Sequence, residues 1–339
     1  MPSVSVVIAT YVVIATYNAA DFVGRAWQSL LAQTEGDFEA IFVDDRSFDG
    51  TAEVVAGFCA ADARARLIRL AVNGGPGHAR NRGIEAARGD WIAVLDADDA
   101  FDPARLARLT HAATAVGGDI VLDNLLILDP ATMRPVRTAF EGSGAARLLP
   151  ASEYLSNVQT GRSTFDWGFL KPFVRRAFLR ENRIGYWPDM RFGEDVVFML
   201  EAILAGARLV LVPEPLYHYT AQYSGTARTY SQTTRTVNNY PALIAASRTV
   251  RMAANGAAPE LGRLLVSREE SLRELSLVTD FRAALKARDP AVLAACMAQS
   301  VRLARGVHAW RSRHRRLREM ETRFAARATA GGEPARPDA

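Results

Sequence analysis

Trp91-Ile92-Ala93-Val94-Leu95-Asp96-Ala97-Asp98-Asp99 decides how the rest of the chain is read. An apolar run of five residues leads into three carboxylates within four positions. The run is too short for a helix and rich in strand formers, so it predicts a buried strand. Open α/β sheets bind ligands in the crevice beyond the carboxyl ends of their strands, which is where these acids would be delivered. Three carboxylates on one turn repel one another unless a cation sits among them. A hard divalent ion with oxygen ligands, Mg²⁺ or Mn²⁺, suits the set, and such ions share their coordination with substrate phosphates. The competing explanation is a helix start, with Asp98 or Asp99 capping a helix that begins near Pro103.

Upstream the same pattern recurs. Phe38-Glu39-Ala40-Ile41-Phe42-Val43-Asp44-Asp45 reads as a second buried strand ending in acids, followed by turn residues Arg46–Gly50 and a helix to about Ala61. A third strand, Arg66–Leu70, precedes Asn73-Gly74-Gly75-Pro76-Gly77-His78-Ala79-Arg80-Asn81 and a helix to Arg88. At the N-terminus Val-Val-Ile-Ala-Thr-Tyr occurs twice in tandem, at 6–11 and 12–17. The second copy leads directly into an amphipathic stretch, Phe22–Gln33. Strand one is therefore assigned to Val12–Ala15, with residues 1–11 as a displaced extension or a paired edge segment. Strands alternating with helices predict βαβ units and a mostly parallel sheet.

The glycine-rich turn at 73–81 fits neither a dinucleotide fingerprint, whose sixth position counted from Gly75 falls on Arg80, nor a Walker-type Gly-Lys-Ser/Thr. A flexible turn at a helix start beside Arg80 suits one anionic or heterocyclic group; an ordinary loop is the other explanation. Further on, Phe165-Asp166-Trp167-Gly168-Phe169 places aromatic rings beside an acid. Trp167 is then either a platform for a sugar face or part of the core. Gly193-Glu194-Asp195 opens an apolar helix ending near Ala205. Acids in a first helical turn complement its dipole, so Glu194 and Asp195 are explained by that or by chemistry. Val210–Val212 predicts a short strand before Tyr217-His218-Tyr219.

Together these segments resemble the family 2 glycosyltransferases of the GT-A fold. The resemblance is carried by Ala15-Thr16-Tyr17-Asn18, Asp44-Asp45-Arg46-Ser47, Asn73–Arg82, Asp96-Ala97-Asp98-Asp99 and Gly193-Glu194-Asp195, and covers roughly residues 6–225. Leu170-Lys171-Pro172 and Val212–Tyr219 add a likeness to bacterial exopolysaccharide, succinoglycan-type glycosyltransferases. The resemblance implies a Rossmann-like GT-A domain over 1–228, with a nucleotide half to about 128 and an acceptor half over 150–228. The implied donor is a UDP-sugar. Its uracil and ribose would be held by Thr16, Tyr17 and Asp45, with Asn73 and Arg80 supporting and Asp96 on the ribose. Asp98 would hold the metal and Asp99 would be a second ligand. Asp195 would be the base that takes the acceptor hydroxyl's proton and Glu194 an acceptor contact. His218 is either a contact to the metal or diphosphate as its segment folds over the donor, or a structural histidine in an aromatic loop. The implied reaction is an inverting, divalent-metal-dependent transfer of a hexose, glucose foremost, to a saccharide hydroxyl, with a lipid-linked exopolysaccharide intermediate as acceptor. A non-catalytic nucleotide-sugar-binding scaffold and a sugar nucleotidyltransferase are the rival readings.

The bulk properties agree with a soluble globular class: 339 residues, 49% hydrophobic, and mean hydropathy of −0.03. No run approaches the roughly 20 apolar residues of a bilayer span and no secretory signal is evident, so a cytoplasmic setting is expected. Cys59 and Cys296 lie too far apart for a metal or redox spacing. After about residue 229 the chain turns to Ala-, Leu- and Arg-rich helices, expected at 232–255, 258–278, 280–305 and 307–328, with a disordered tail over 329–339. The last helix carries Arg311, Arg313, Arg315, Arg316, Arg318 and Arg323 around Trp310. Such a helix suits an anionic membrane surface at the inner face of a cell membrane, or packing on its own domain or on a second copy in a homodimer. The rest of the chain has no basic stripe, so no nucleic-acid partner is expected. Residues 129–150, rich in Pro, Gly and Arg, are expected to be a mobile connection.

Overall fold

The computed structural model describes residues 10–158, 165–220, 239–253 and 259–330, together with the side chains of most of them. The first copy of the tandem repeat up to residue 9, residues 221–225 of the segment after Tyr219, and the tail from 331 lie outside the described residues.

The second copy of the repeat does form the first strand. β1 (Thr10–Thr16) pairs in parallel with β2 (Phe38–Asp44) on one side and β4 (Trp91–Asp96) on the other, and β3 (Ala65–Arg69) extends the sheet beyond β2. Strands buried on both faces read as continuous apolar runs. Val12, Val13, Ile14, Ile41, Phe42, Ile92, Ala93 and Leu95 are accordingly withdrawn from solvent. The register sets Thr16 opposite Asp44 and Ala15 opposite Asp96, so the polar ends of three strands form one rim. The crossovers are α1 (Val23–Leu31), α2 (Thr51–Ala61) and α3 (Pro76–Ala86). α1 buries Val23, Ala26, Trp27 and Leu30, the three-and-four spacing of a single helix face. Gly83 lets α3 lie directly on β1, since a Cβ there would stand 2.4 Å from Val13.

Beyond β4 the sheet becomes mixed. β5 is Ala100–Phe101, α4 is Arg105–Ala112 and β6 is Ile120–Leu128. The stretch expected to be a mobile connection contains β7 (Pro135–Thr138), antiparallel to β6, and β8 (Arg147–Leu149), antiparallel to β10 (Leu209–Thr220). Strands this short satisfy their backbone at a sheet edge without an alternating pattern. β10 also replaces the expected three-residue strand. Pro213 and Pro215 do not end it, because the register shifts against β6 between Val212 and Tyr217 absorb them.

The element that joins the halves is β9 (Phe173–Arg175), which runs antiparallel between β4 and β6. Because it runs backwards, its beginning lies at the rim, and the preceding Lys171 arrives beside Asp96. α5 (Ala151–Asn157), α6 (Arg176–Asn182) and α7 (Glu194–Leu204) complete this half.

The C-terminal helices are α8 (Tyr240–Ala253), α9 (Pro259–Ala287), α10 (Pro290–Met297) and α11 (Ser300–Ala330). The break expected near 279 falls instead at Asp289-Pro290. There the Asp289 carboxylate accepts from the Ala291 and Val292 amides and caps α10. Ala- and Arg-rich sequence propagates a helix well, so only a capping residue followed by proline marks the boundary. Among the described residues no helix is long and apolar enough to cross a membrane.

Candidate active site

Four carboxylates and two cations meet where β1, β2 and β4 end. Arg80, from α3, donates through Nη2 to Asp96 (2.7 Å) and through Nη1 to Glu194 and Asp195 (both 2.9 Å). Lys171 stands 2.7 Å from the other oxygen of Asp195 and 2.9 Å from the other oxygen of Asp96. Asp96 and Asp195 thus face each other through two parallel bridges, one guanidinium and one ammonium. Burial opposes a charged Asp96, but Lys171 and Arg80 outweigh it and hold its carboxyl far below the usual range. Burial likewise opposes the Lys171 ammonium, and Asp195 with Asp96 keeps it firmly protonated. Glu194 is pushed up by burial and by the neighbouring Asp195.

Asp195 reaches this point through a tight turn. Gly193, just before α7, has φ +74°, in the left-handed region, and a Cβ there would stand 2.7 Å from Leu243 of α8. Tyr240 of α8 also packs edge-on against Phe192. The C-terminal helices therefore press directly on the turn that presents the acids.

Asp98 and Asp99 behave differently from each other. Asp99 is buried, with one oxygen accepting from Tyr217 Oη (2.8 Å) and the other from the Thr220 amide (2.8 Å). Burial, with Asp98 and Asp96 adding to it, raises its carboxyl well above the ordinary value. It is an anchor for β10 rather than an open ligand. Asp98 is held by its backbone: its carbonyl accepts from Thr220 Oγ1 and from Arg25. Among the described residues its carboxylate is bonded only by its own backbone amide. Burial, reinforced by the Asp96 charge, pushes its carboxyl up to about 6.

Among the described residues no three acid, histidine or cysteine side chains converge as a ready-made metal cage. A Mg²⁺ or Mn²⁺ ion completed by substrate phosphates needs only one or two protein carboxylates. The half-buried Asp98 carboxylate, with no cation bonded to it among the described residues, fits that requirement, in a crevice where three other acids share two bonded cations.

The remaining expected residues fall into place around this centre, though not all in the expected contact. Asp45 accepts from the Gly74 amide (2.8 Å) and the Gly75 amide (2.7 Å), fastening the glycine-rich turn to the end of β2, and burial raises its carboxyl. Asn73 donates to the Asp45 carbonyl and accepts from Arg191, near the α7 turn. The Thr16 hydroxyl is directed to the Val43 carbonyl. The Tyr17 ring packs edge-on against Phe48 and stays half-exposed.

Packing decides three of the readings. Arg80, placed as a donor contact, spends Nη1 and Nη2 on acids and lies over the Tyr186 ring. Trp167 is a core ring against Phe140, with 5% of its surface exposed, rather than a sugar platform. His218 sits next to Tyr217 on β10, so strand alternation turns it to the opposite face. Its nearest acid is Asp102 at 4.0 Å, and burial lowers its pKa. Lys171, Tyr217 and Arg25 had no expected role. The only signal for Lys171 was the Leu-Lys-Pro string.

A mixed α/β sheet with an acid-lined crevice at its strand ends defines the GT-A class of nucleotide-sugar enzymes. The model for "Glycosyl transferase family 2" matches residues 11–180, and the chain belongs to that family. The succinoglycan biosynthesis protein ExoO of Rhizobium meliloti (strain 1021) is 41% identical over 213 residues, 61% of this chain and 59% of that protein. ExoU of the same organism is 33% identical over 204 residues, 59% of this chain and 58% of that protein. The matched regions thus span about three fifths of these relatives. S. aureus TarS 1–349, solved in complex with UDP-GlcNAc, superposes with a TM-score of 0.67 at 18% identity, covering 98% of this chain and 94% of that one. The mannosyltransferase PcManGT of Pyrobaculum calidifontis, solved with GDP-Man and Mn²⁺, gives 0.56 at 17% identity, covering 98% and 90%. Both show the shared fold.

Proposed function

We propose that this protein transfers a hexose, glucose foremost, from a UDP-sugar to a saccharide hydroxyl with inversion, in exopolysaccharide assembly on a lipid-linked acceptor. The observation that carries this reading is the double bridge of Arg80 and Lys171 between Asp96 and Asp195. It puts a carboxylate from α7 in the same crevice as the acids after β4. The names of the relatives and the UDP-GlcNAc bound to TarS support the pathway and the donor class.

In this reading Tyr17, Thr16, Asp45 and Asn73 line the seat of the uridine, and Asp96 faces its ribose. Asp98 holds Mg²⁺ or Mn²⁺, the ion seen with PcManGT; when bound it neutralises charge developing on the departing diphosphate. Asp195 accepts the proton of the acceptor hydroxyl as its oxygen bonds to the anomeric carbon and the carbon–oxygen bond to UDP breaks. Each Asp195 oxygen accepts one cation and retains a second lone pair for that proton. Glu194, bonded to Arg80, flanks the acceptor side. The exposed arginines of α11, among them Arg311, Arg315 and Arg318, hold the enzyme to an anionic leaflet. Flotation with anionic but not zwitterionic vesicles checks that contact, and equal recovery with both would remove it.

Calorimetry with UDP, with and without Mn²⁺, run beside an assay of UDP release from UDP-glucose, tests the whole. Metal-dependent binding with release is expected, and Asp195→Asn keeps the binding and loses the release. Binding without any release in the wild type would point to a scaffold. Pyrophosphate as the product would point to nucleotidyl transfer.

A further inference from the structure

Of the 41 basic residues of the chain only two are lysine, Lys171 and Lys286. Arginine supplies the cation at nearly every other site, including the buried Arg80 and Arg105. The position wedged between Asp96 and Asp195 is nevertheless lysine. The geometry gives the reason. Nζ lies 2.9 Å from one carboxylate and 2.7 Å from the other, a gap that a compact ammonium fills with separate N–H groups. A guanidinium is a planar fork whose donors are fixed side by side, and it is longer than the ammonium it would replace. Arg80, already on the other side, divides its N–H groups among three acids.

Lys171 is also held more firmly than a surface side chain. Its carbonyl accepts from Arg105 Nη2 at 3.2 Å, and Arg105 is doubly bonded to Asp123 at 2.9 and 2.8 Å. Arg105 and Asp123 are both fully buried. β9 begins two residues later, clamped between β4 and β6.

We propose that Lys171 is the positioning residue of the catalytic base: its ammonium fixes the Asp195 carboxylate against Asp96, setting how far the proton acceptor stands from the donor's sugar. The proposal rests on Asp195 as base. Lys171 does not touch the reacting atoms; it acts through Asp195. Chemistry tolerates little displacement of such a group, and about 1 Å of misplacement costs on the order of 10²-fold in rate.

The scarcity of lysine supplies the test. Protein labelled with ¹⁵N only at lysine Nζ has two side-chain signals. One slowly exchanging ammonium is expected, absent in Lys171→Arg and displaced in Asp195→Asn and on adding UDP with Mg²⁺. With UDP-glucose and Mg²⁺ as the probe, Lys171→Met and Lys171→Arg are expected to lose about 10²-fold in the turnover of UDP release while the KM for UDP-glucose stays within about threefold. Lys171→Arg keeps the charge, so it separates a need for the ammonium from a need for any cation, and calorimetry with UDP confirms that each variant is folded. An unchanged ammonium signal in Asp195→Asn overturns the proposal, as does wild-type turnover in either lysine variant. Wild-type release by Asp195→Asn overturns the base itself. An inactive Asp195→Asn beside a fully active Lys171→Met overturns only the role of Lys171.

Discussion

Two buried ion networks meet at one residue in this molecule, and they are built to opposite designs. In the first, Arg105 and Asp123 form a charge-balanced bidentate pair, both fully buried, with the guanidinium 4.1 Å from the Phe101 ring and 5.1 Å from that of Tyr217. One cation meets one anion. In the second, at the strand ends, Arg80 and Lys171 serve Asp96, Glu194 and Asp195, while among the described residues no cation is bonded to the Asp98 carboxylate beside them. Lys171 belongs to both: its carbonyl is held by Arg105 and its ammonium holds the acids. A charge-balanced pair stiffens a scaffold. An acid-rich, incompletely paired cluster leaves negative charge that a bound cation would neutralise. Burial alone does not distinguish the two; the balance of charge and the unused lone pairs do.

The contrast is sharpest for two aspartate-to-asparagine changes. Asp98→Asn is expected to cut UDP release by about 10⁴-fold, ~5.5 kcal/mol of barrier, and to abolish the effect of Mn²⁺ on UDP affinity in calorimetry. The thermal midpoint of the metal-free protein should not fall, because the half-buried charge removed has no cation bonded to it among the described residues. Asp123→Asn should do the reverse. It leaves Arg105 buried without its counter-ion, and a urea titration should show a loss of about 3–5 kcal/mol. If Asp98→Asn unfolds the protein or Asp123→Asn leaves stability untouched, the two networks are not of different kinds.

Smaller effects lie at the contacts between regions. Gly193→Ala puts a side chain at positive φ and against Leu243, and is expected to cost about 1–3 kcal/mol by denaturation. UDP release should fall more than UDP affinity does, since the displaced turn carries Glu194 and Asp195. An unaffected rate would show that α8 does not set the position of Asp195. Tyr217→Phe removes the hydroxyl shared by the Asp99 carboxylate and the Asp96 amide. About 1–2 kcal/mol of stability is expected to go, with the Mn²⁺ dependence of UDP binding retained. Loss of that dependence would mean that Asp99 itself is needed by the ion.

Much of this was readable in advance. Asp44 and Asp96 follow apolar runs that are strands by length alone, and parallel pairing has only one end at which to collect them. The second copy of the repeat could be chosen because a helix follows it. The antiparallel β9, by contrast, is three residues long, with no alternation to mark it. The residues that join the crevice, Arg80, Lys171 and Asp195, lie far apart in sequence, so spacing could not reveal that they touch. Trp167 and His218 stayed open for a related reason: residue type allowed a ligand contact or a structural role, and packing and strand alternation decided which way each side chain turned.

By itself, then, the sequence determined the alternation of strand and helix, the crevice end of the sheet and the acids delivered there. These are local properties, set by hydrophobic runs and by what each strand ends in. The tertiary structure alone decided that Asp96 and Asp195 face each other across a lysine and an arginine, that Asp99 is tied down while Asp98 stays open, and that α8 presses on the turn before Asp195. Those outcomes depend on long-range register and on buried charge seeking its opposite, and both exist only once the chain has closed on itself.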